Sequence, residues 1–208
     1  TNTVTLQATD PNDIDSITVN LGDQSDSATI SSINDPITTL NGGAGTNTLT
    51  SFANSSSWTI SAADGGSFSG AGGSVTFSNI ANIVGGANSD LFNVVASFSG
   101  SIDGAGGSDV LQASLIDAVT LTNSDANGFD GTEDSVSGGF SNVENIYGNG
   151  GTLTGQNATS TWEVKAAPTY TTGGNTLNNV RYEQPHGTAR MKPGYSPHQQ
   201  TGTNLNAQ

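Results

Sequence analysis

The chain has 208 residues, no cysteine, and a formal net charge of −14 from 18 acidic and 4 basic side chains. The missing cysteines exclude disulfides and thiolate metal sites, and a polyanionic body repels phosphate backbones, so nucleic acid does not suit it as a partner. With 28 glycines, 6% aromatic and 11% charged residues, the chain is poor in the bulky side chains of a thick core, and no run nears the roughly 20 apolar residues of a membrane span.

The charge is unevenly placed. All four cations fall late, at Lys165, Arg181, Arg190 and Lys192, whereas every acid except Glu183 precedes Lys165. Cations, or a basic segment of a neighbouring subunit, are therefore the expected partners of the acidic body. The chain opens on Thr1 and shows no secretory signal, which reads as a processed or excised form whose address has been removed.

From Thr1 to Leu40 the pattern alternates through TVTLQ, SITVNLG, SATISSI and PITTLNGG, separated by TDPNDID, GDQSDS and NDP. Period-two alternation of Thr, Val and Ile between Asp, Asn, Pro and Gly clusters predicts strands and turns, and no window favours a helix. Residues 1–39 are expected to be a strand-rich segment continuous with the repeat region of residues 40–180.

Repetition governs residues 40–180. FSNIANIVGG (Phe77 to Gly86) returns 63 residues later as FSNVENIYGN (Phe140 to Asn149), with a worn version, LNNV, at Leu177 to Val180. LNGGAGTNTL (Leu40 to Leu49) returns as IDGAGGSDVL (Ile102 to Leu111), 62 residues on. Upstream of the FSN copies, Trp58, Val119 and Trp162 hold equivalent positions and read as core residues.

Apolar beads recur mostly every nine to eleven residues: Leu40, Leu49, Trp58, Phe68, Phe77, Phe92, Ile102, Leu111, Val119, Phe129, Phe140, Leu153 and Trp162. Two all-β architectures have that spacing. The first is a β-solenoid, a parallel β-helix or β-roll whose short strands stack coil on coil, and it is favoured because most segments offer only one or two bulky residues. The alternative is an antiparallel β-sandwich. Asn79 and Asn82, matched by Asn142 and Asn145, are expected at corners, where Asn tolerates left-handed backbone angles.

GGAGTNTLT, WTISAADGGSFSG, VTFSNIANIVGG, SGSIDGAGGSDVL, VTLTNSDANGF and GGFSNVENI resemble the repeats of large bacterial surface exoproteins, the haemagglutinin-like and giant adhesin class. The similarity covers about Ile17 to Val180. It implies a secreted, elongated, β-helical protein with an attachment, matrix or structural role.

Three Gly-rich stretches, GGAGTNTLT, GGANSDLF and GAGGSDVLQ, are similar to the nonapeptide of calcium β-rolls. Asn47 stands where that motif has Asp, and the copies are not tandem, so they read first as tight turns and second as Ca2+ half-sites. The densest acidic stretch is NSDANGFDGTED, where Asp125, Asn127, Asp130, Glu133 and Asp134 offer oxygen ligands to a hard cation in a register unlike an EF-hand. Its first reading is a solvated acidic loop, with a Ca2+ site as the alternative.

Catalysis is not expected. The first 164 residues contain no Lys, Arg or His, no acid pair sits beside a Trp or Tyr like a sugar subsite, and Ser-His-Asp chemistry would need His186 or His198. After Val180 the periodicity stops, and residues 181–208 form an irregular basic tail whose Arg181, Tyr182, Arg190, Lys192 and Tyr195 are expected to contact a neighbouring subunit. The expected function is a secreted, non-catalytic structural or adhesive protein that self-assembles into an extracellular filament or matrix, without membrane insertion. A calcium-dependent or carbohydrate-binding module of a larger adhesin, with surface glycans as partners, is the alternative.

Overall fold

The structure, a computed structural model, describes residues 16–30, 38–51, 54–70, 73–112, 115–148, 152–163 and 169–178. Among them there is no helix, and 19 strands account for the regular structure. In chain order these are β1 (Ile17–Asn20), β2 (Ser27–Thr29), β3 (Thr38–Asn41), β4 (Thr48–Thr50), β5 (Ser57–Ala62), β6 (Gly65–Gly70) and β7 (Gly73–Ser78). Next come β8 (Asn82–Val84), β9 (Leu91–Val94), β10 (Ser101–Asp103), β11 (Val110–Gln112), β12 (Ala118–Asp125), β13 (Gly128–Glu133) and β14 (Val136–Val143). The last five are β15 (Asn145–Tyr147), β16 (Thr152–Thr154), β17 (Thr161–Glu163), β18 (Thr169–Thr172) and β19 (Asn175–Asn178).

The strands fill two eight-stranded sheets and a small third one. The first sheet runs β1-β3-β7-β6-β5-β9-β11-β15, the second β16-β12-β13-β14-β10-β8-β4-β2, and the third β17-β18-β19. From β1 to β16 the chain changes sheet after nearly every strand, pausing only for two three-stranded antiparallel meanders, β5-β6-β7 in the first sheet and β12-β13-β14 in the second. All other pairings in the large sheets are parallel. An antiparallel sandwich therefore does not describe them: the sheets are mixed, and parallel pairing predominates.

Alternation inside each strand sends one set of side chains inward, and pairing in register stacks that set into rows. Val75, Phe68, Trp58, Phe92, Leu111 and Ile146 form one row across the first sheet, and Leu49, Ile83, Ile102 and Phe140 form one across the second. Trp58 has no exposed surface and sits among Phe68, Phe77 and Phe92, with ring centroids at 4.4, 5.7 and 5.9 Å. Both rows belong to one hydrophobic cluster, so the two sheets share a core.

Each meander also has an inner row in which glycine stands where a phenylalanine needs space. Gly66 pairs with Phe77 and Gly131 with Phe140. A β-carbon on Gly131 would come within 2.5 Å of the Phe140 ring. The matching position in the other inner row differs: Trp58 pairs with Phe68, whereas Val119 pairs with Glu133, a buried glutamate.

The third sheet extends the shared core. Tyr170 and Leu177 are fully buried, Tyr170 lies 6.2 Å from Phe129 between ring centroids, and its hydroxyl accepts the Gln156 N–H at 3.0 Å. The third repeat copy is thus also a meander. The expected boundary between residues 1–39 and the repeat is bridged by pairing of β1 with β3 and β2 with β4.

Candidate functional site

The chemistry of the described residues concentrates at the Gly-rich corners that feed the strands. Residues 20–28 stack on 41–49, and residues 84–92 stack on 103–111, so the corners occur as two superposed pairs. Hydroxyls repeat the same bond in each pair, Thr46 N–H to Ser25 Oγ at 3.1 Å and Ser108 N–H to Ser89 Oγ at 3.2 Å. Left-handed backbone appears at matched positions, Gly43 (φ 76°) and Ala105 (φ 68°), and again at Gly45 (φ 103°) and Gly107 (φ 131°).

Asparagine from each FSN copy closes the corners. Asn79 and Asn142 are left-handed, with φ of 55° and 53°. Asn79 Nδ2 donates to Asn41 Oδ1 at 2.7 Å, and Asn142 Nδ2 donates to Asp103 Oδ1 at 2.7 Å. Those acceptors also take the N–H two residues on, Gly43 at 3.0 Å and Ala105 at 2.9 Å. Asn82 and Asn145, also expected at corners, instead begin β8 and β15, because the left-handed turn is completed by the first Asn of each copy.

At three of these four corners the residue before the departing strand turns inward. Asn47 and Asp109 are fully buried and Asp90 is 2% exposed. Asp90 Oδ1 accepts from both the N–H and the hydroxyl of Ser56 at 2.6 Å, and its Oδ2 accepts from Gly86 N–H at 2.6 Å. The Asp90 N–H donates to Asp109 Oδ1 at 2.7 Å, and the Asp109 N–H donates to Glu144 Oε2 at 2.5 Å. Asp90, Asp109 and Glu144 thus form a relay in which the Asp109 and Glu144 carboxylates each hold the backbone of the acid before them.

No Lys, Arg or His lies among the described residues to balance this relay. Burial pushes the Asp109 carboxyl up to about 7, opposed by the Asp90 N–H and reinforced by the carboxylates of Glu144, Asp90 and Asp103. Burial also raises Glu144, against the pull of the Asp109 N–H.

The five residues expected to ligate a cation do not converge. Asp125 and Asn127 form the β12–β13 turn, with Asn127 N–H bonded to Asp125 Oδ1 at 2.8 Å. Asp130 is engaged by Asn123 Nδ2 at 3.0 Å and Asn142 N–H at 3.1 Å. Glu133 and Asp134 lie at the other end of β13, roughly 17 Å along the strand at its usual rise. Glu133 turns into the core, where Oε2 holds the Ser135 N–H and hydroxyl and Oε1 has no partner. Among the described residues, no group of three or more acidic or histidine side chains is placed to hold a metal ion.

The expected subunit contacts Arg181, Tyr182, Arg190, Lys192 and Tyr195 lie outside the described residues. Sequence reasoning missed the inward turn of Asn47, Asp90 and Asp109. A signal for it exists, since each lies five positions after a glycine, at Gly42, Gly85 and Gly104. Those glycines pack on the buried side chains, and a β-carbon there would lie 2.5–2.7 Å from Asn47 Nδ2, Asp90 Oδ2 or Asp109 Oδ2. No protein-family model, curated protein or solved structure matches this chain.

Proposed function

We propose that this chain is a secreted, non-catalytic structural or adhesive subunit, an elongated β-solenoid that assembles with copies of itself into an extracellular filament or matrix. The observation that carries this reading is the chain's repeated passage between two sheets in register, which spends most of the described bulky apolar side chains on a shared, stacked core. Such a column grows by adding strands at its ends, and the edge strands exposed there are where a second copy pairs. β1 and β2 are the outermost described strands at one end, where Val19, Leu21, Ala28 and Ile30 are only partly buried. The cationic tail from Arg181 onward supplies the charge that an acidic neighbour would attract.

Sedimentation velocity at increasing concentration, in physiological salt and with the tail intact, tests this reading. Growth into polydisperse polymers is expected, and a single monomer boundary at every concentration would contradict it.

A second reading is favoured by one observation. No strand of the first sheet contains a charged residue, whereas strands of the second carry Asp103, Asp125, Asp130 and Glu133. Between the buried rows of the first sheet, Thr18, Thr39, Thr76, Ser67, Thr59, Asn93 and Gln112 fall in register across seven adjacent strands. On a protein of net charge −14, a neutral hydroxyl and amide face suits uncharged surface glycans better than cations. Co-sedimentation with insoluble neutral and acidic polysaccharides separates the readings. Binding to the neutral material alone, lost on Thr39→Glu/Thr76→Glu, would support the glycan-binding module.

A further inference from the structure

In both pairs of corners the inward side chain accepts a backbone N–H from the corner stacked against it, and the two pairs differ at that side chain's other terminal atom. In the first pair, Asn47 Oδ1 accepts the Asp26 N–H at 2.9 Å while Asn47 Nδ2 donates to the Asn79 carbonyl at 3.1 Å. In the second, Asp109 Oδ1 accepts the Asp90 N–H at 2.7 Å, leaving Oδ2 in the place of the Asn47 amide nitrogen. Gly42 and Gly104 calibrate that equivalence. A β-carbon on Gly42 would lie 2.0 Å from the Asn79 carbonyl oxygen and 2.7 Å from Asn47 Nδ2. On Gly104 it would lie 2.0 Å from the Asn142 carbonyl oxygen and 2.5 Å from Asp109 Oδ2.

An oxygen thus sits where the repeat has a hydrogen-bond donor, facing the same carbonyl. Asp109 Oδ2 is buried and finds no partner as a carboxylate. Two acceptors turned toward each other in a buried corner repel, whereas a protonated carboxyl supplies the missing donor. The groups around it add to this demand, since Asp90, Asp103 and Glu144 are all acids and no cation lies among the described residues.

We propose that Asp109 is a proton-operated latch: as the neutral acid its Oδ2–H donates to the Asn142 carbonyl, closing this corner as the Asn47 amide closes its own, and release of that proton to solvent opens it. The raised affinity of Asp109 for its proton agrees with the geometry. Because the folded chain holds this proton more tightly than the unfolded chain, the contribution to stability is complete below the ordinary carboxylate range near 3.8 and is lost as pH rises through about 7. Mild acid therefore tightens this molecule.

Thermal melting of the full chain from pH 5.5 to 8.5, with and without Ca2+, tests the latch alongside the Asp109→Asn and Asn47→Asp variants. The wild type is expected to melt about 5–10 °C lower at pH 8.5 than at pH 5.5. Asp109→Asn should remove most of that slope and match or exceed the wild type at high pH, while Asn47→Asp should add a second pH-dependent loss. The 13Cγ resonance of Asp109, followed through a pH titration, reads the proton directly whether or not either variant folds. A midpoint near 4, an unchanged slope in Asp109→Asn, or a Ca2+-dependent rise in melting temperature that Asp109→Asn abolishes would overturn the proposal.

Discussion

Gly104 lies against both halves of the Asp109 corner, so the absence of its β-carbon is what lets a carboxyl group and the Asn142 carbonyl of β14 approach each other. A methyl there would meet the Asn142 oxygen at 2.0 Å, a backbone atom that cannot swing aside. Gly104→Ala is expected to cost about 2–4 kcal/mol, read as a lower urea midpoint with an unchanged m-value. The neighbouring acids are a separate lever. Glu144 raises the Asp109 midpoint through its charge yet also accepts the Asp109 N–H. Glu144→Gln keeps an acceptor and removes the charge, so the Asp109 midpoint should move down in an NMR titration, and an upward move would show that the charge is not what couples them.

At the scale of elements, the meander is the part of the repeat that the sequence concealed. The beads Trp58, Phe68 and Phe77 were legible as buried because each is flanked by Ser, Thr or Gly, and all three are at most 2% exposed. Their spacing suits a stack of parallel coils equally well, and only the pairing of Trp58 with Phe68 and of Phe68 with Val75 reveals antiparallel neighbours within one sheet. Turn spacing alone carries no information about whether the next strand stays in its sheet or crosses to the other. The second meander hid a further departure. Glu133 looked like a loop ligand because it sits in an acidic run, yet it occupies the inward position between Val119 and Val136. The Gly-rich corners were legible as turns, whereas the inward acids were not, because Asp after Gly and Ser usually faces solvent.

The meander also localises stability. Trp58 is sealed between Phe68 and Phe92, so Trp58→Ala is expected to cost about 3–5 kcal/mol, measured by urea unfolding. Gly131→Ala should be comparably damaging, since its β-carbon would meet the Phe140 ring at 2.5 Å and the Thr120 carbonyl at 2.6 Å. Pairing Gly131→Ala with Phe140→Leu shortens the ring and should recover part of that loss. No recovery would mean that the Thr120 carbonyl, and not the ring, sets the requirement.

Over the whole molecule, successive copies of the 62-residue repeat exchange sheets. Leu40 lies in the first sheet and its counterpart Ile102 in the second, while Leu49 lies in the second and Leu111 in the first. One repeat, β3 to β9, makes an odd number of stops in the two sheets when the meander counts as one, so the next copy begins on the opposite sheet. The first meander therefore widens the first sheet, the second widens the second, and both reach eight strands. Unequal sheets would leave one inner face uncovered, and the swap of sides prevents this.

This balance is what allows the proposed column to continue into another copy without an overhanging sheet. The most direct measurement is electron cryo-microscopy of the assembled protein, reading the direction of the roughly 4.8 Å strand spacing against the long axis of the polymer. The account predicts that the spacing lies along that axis, with subunits joined end to end and sheets running through the junctions. Strands running parallel to the polymer axis, or discrete particles that never join end to end, would contradict it.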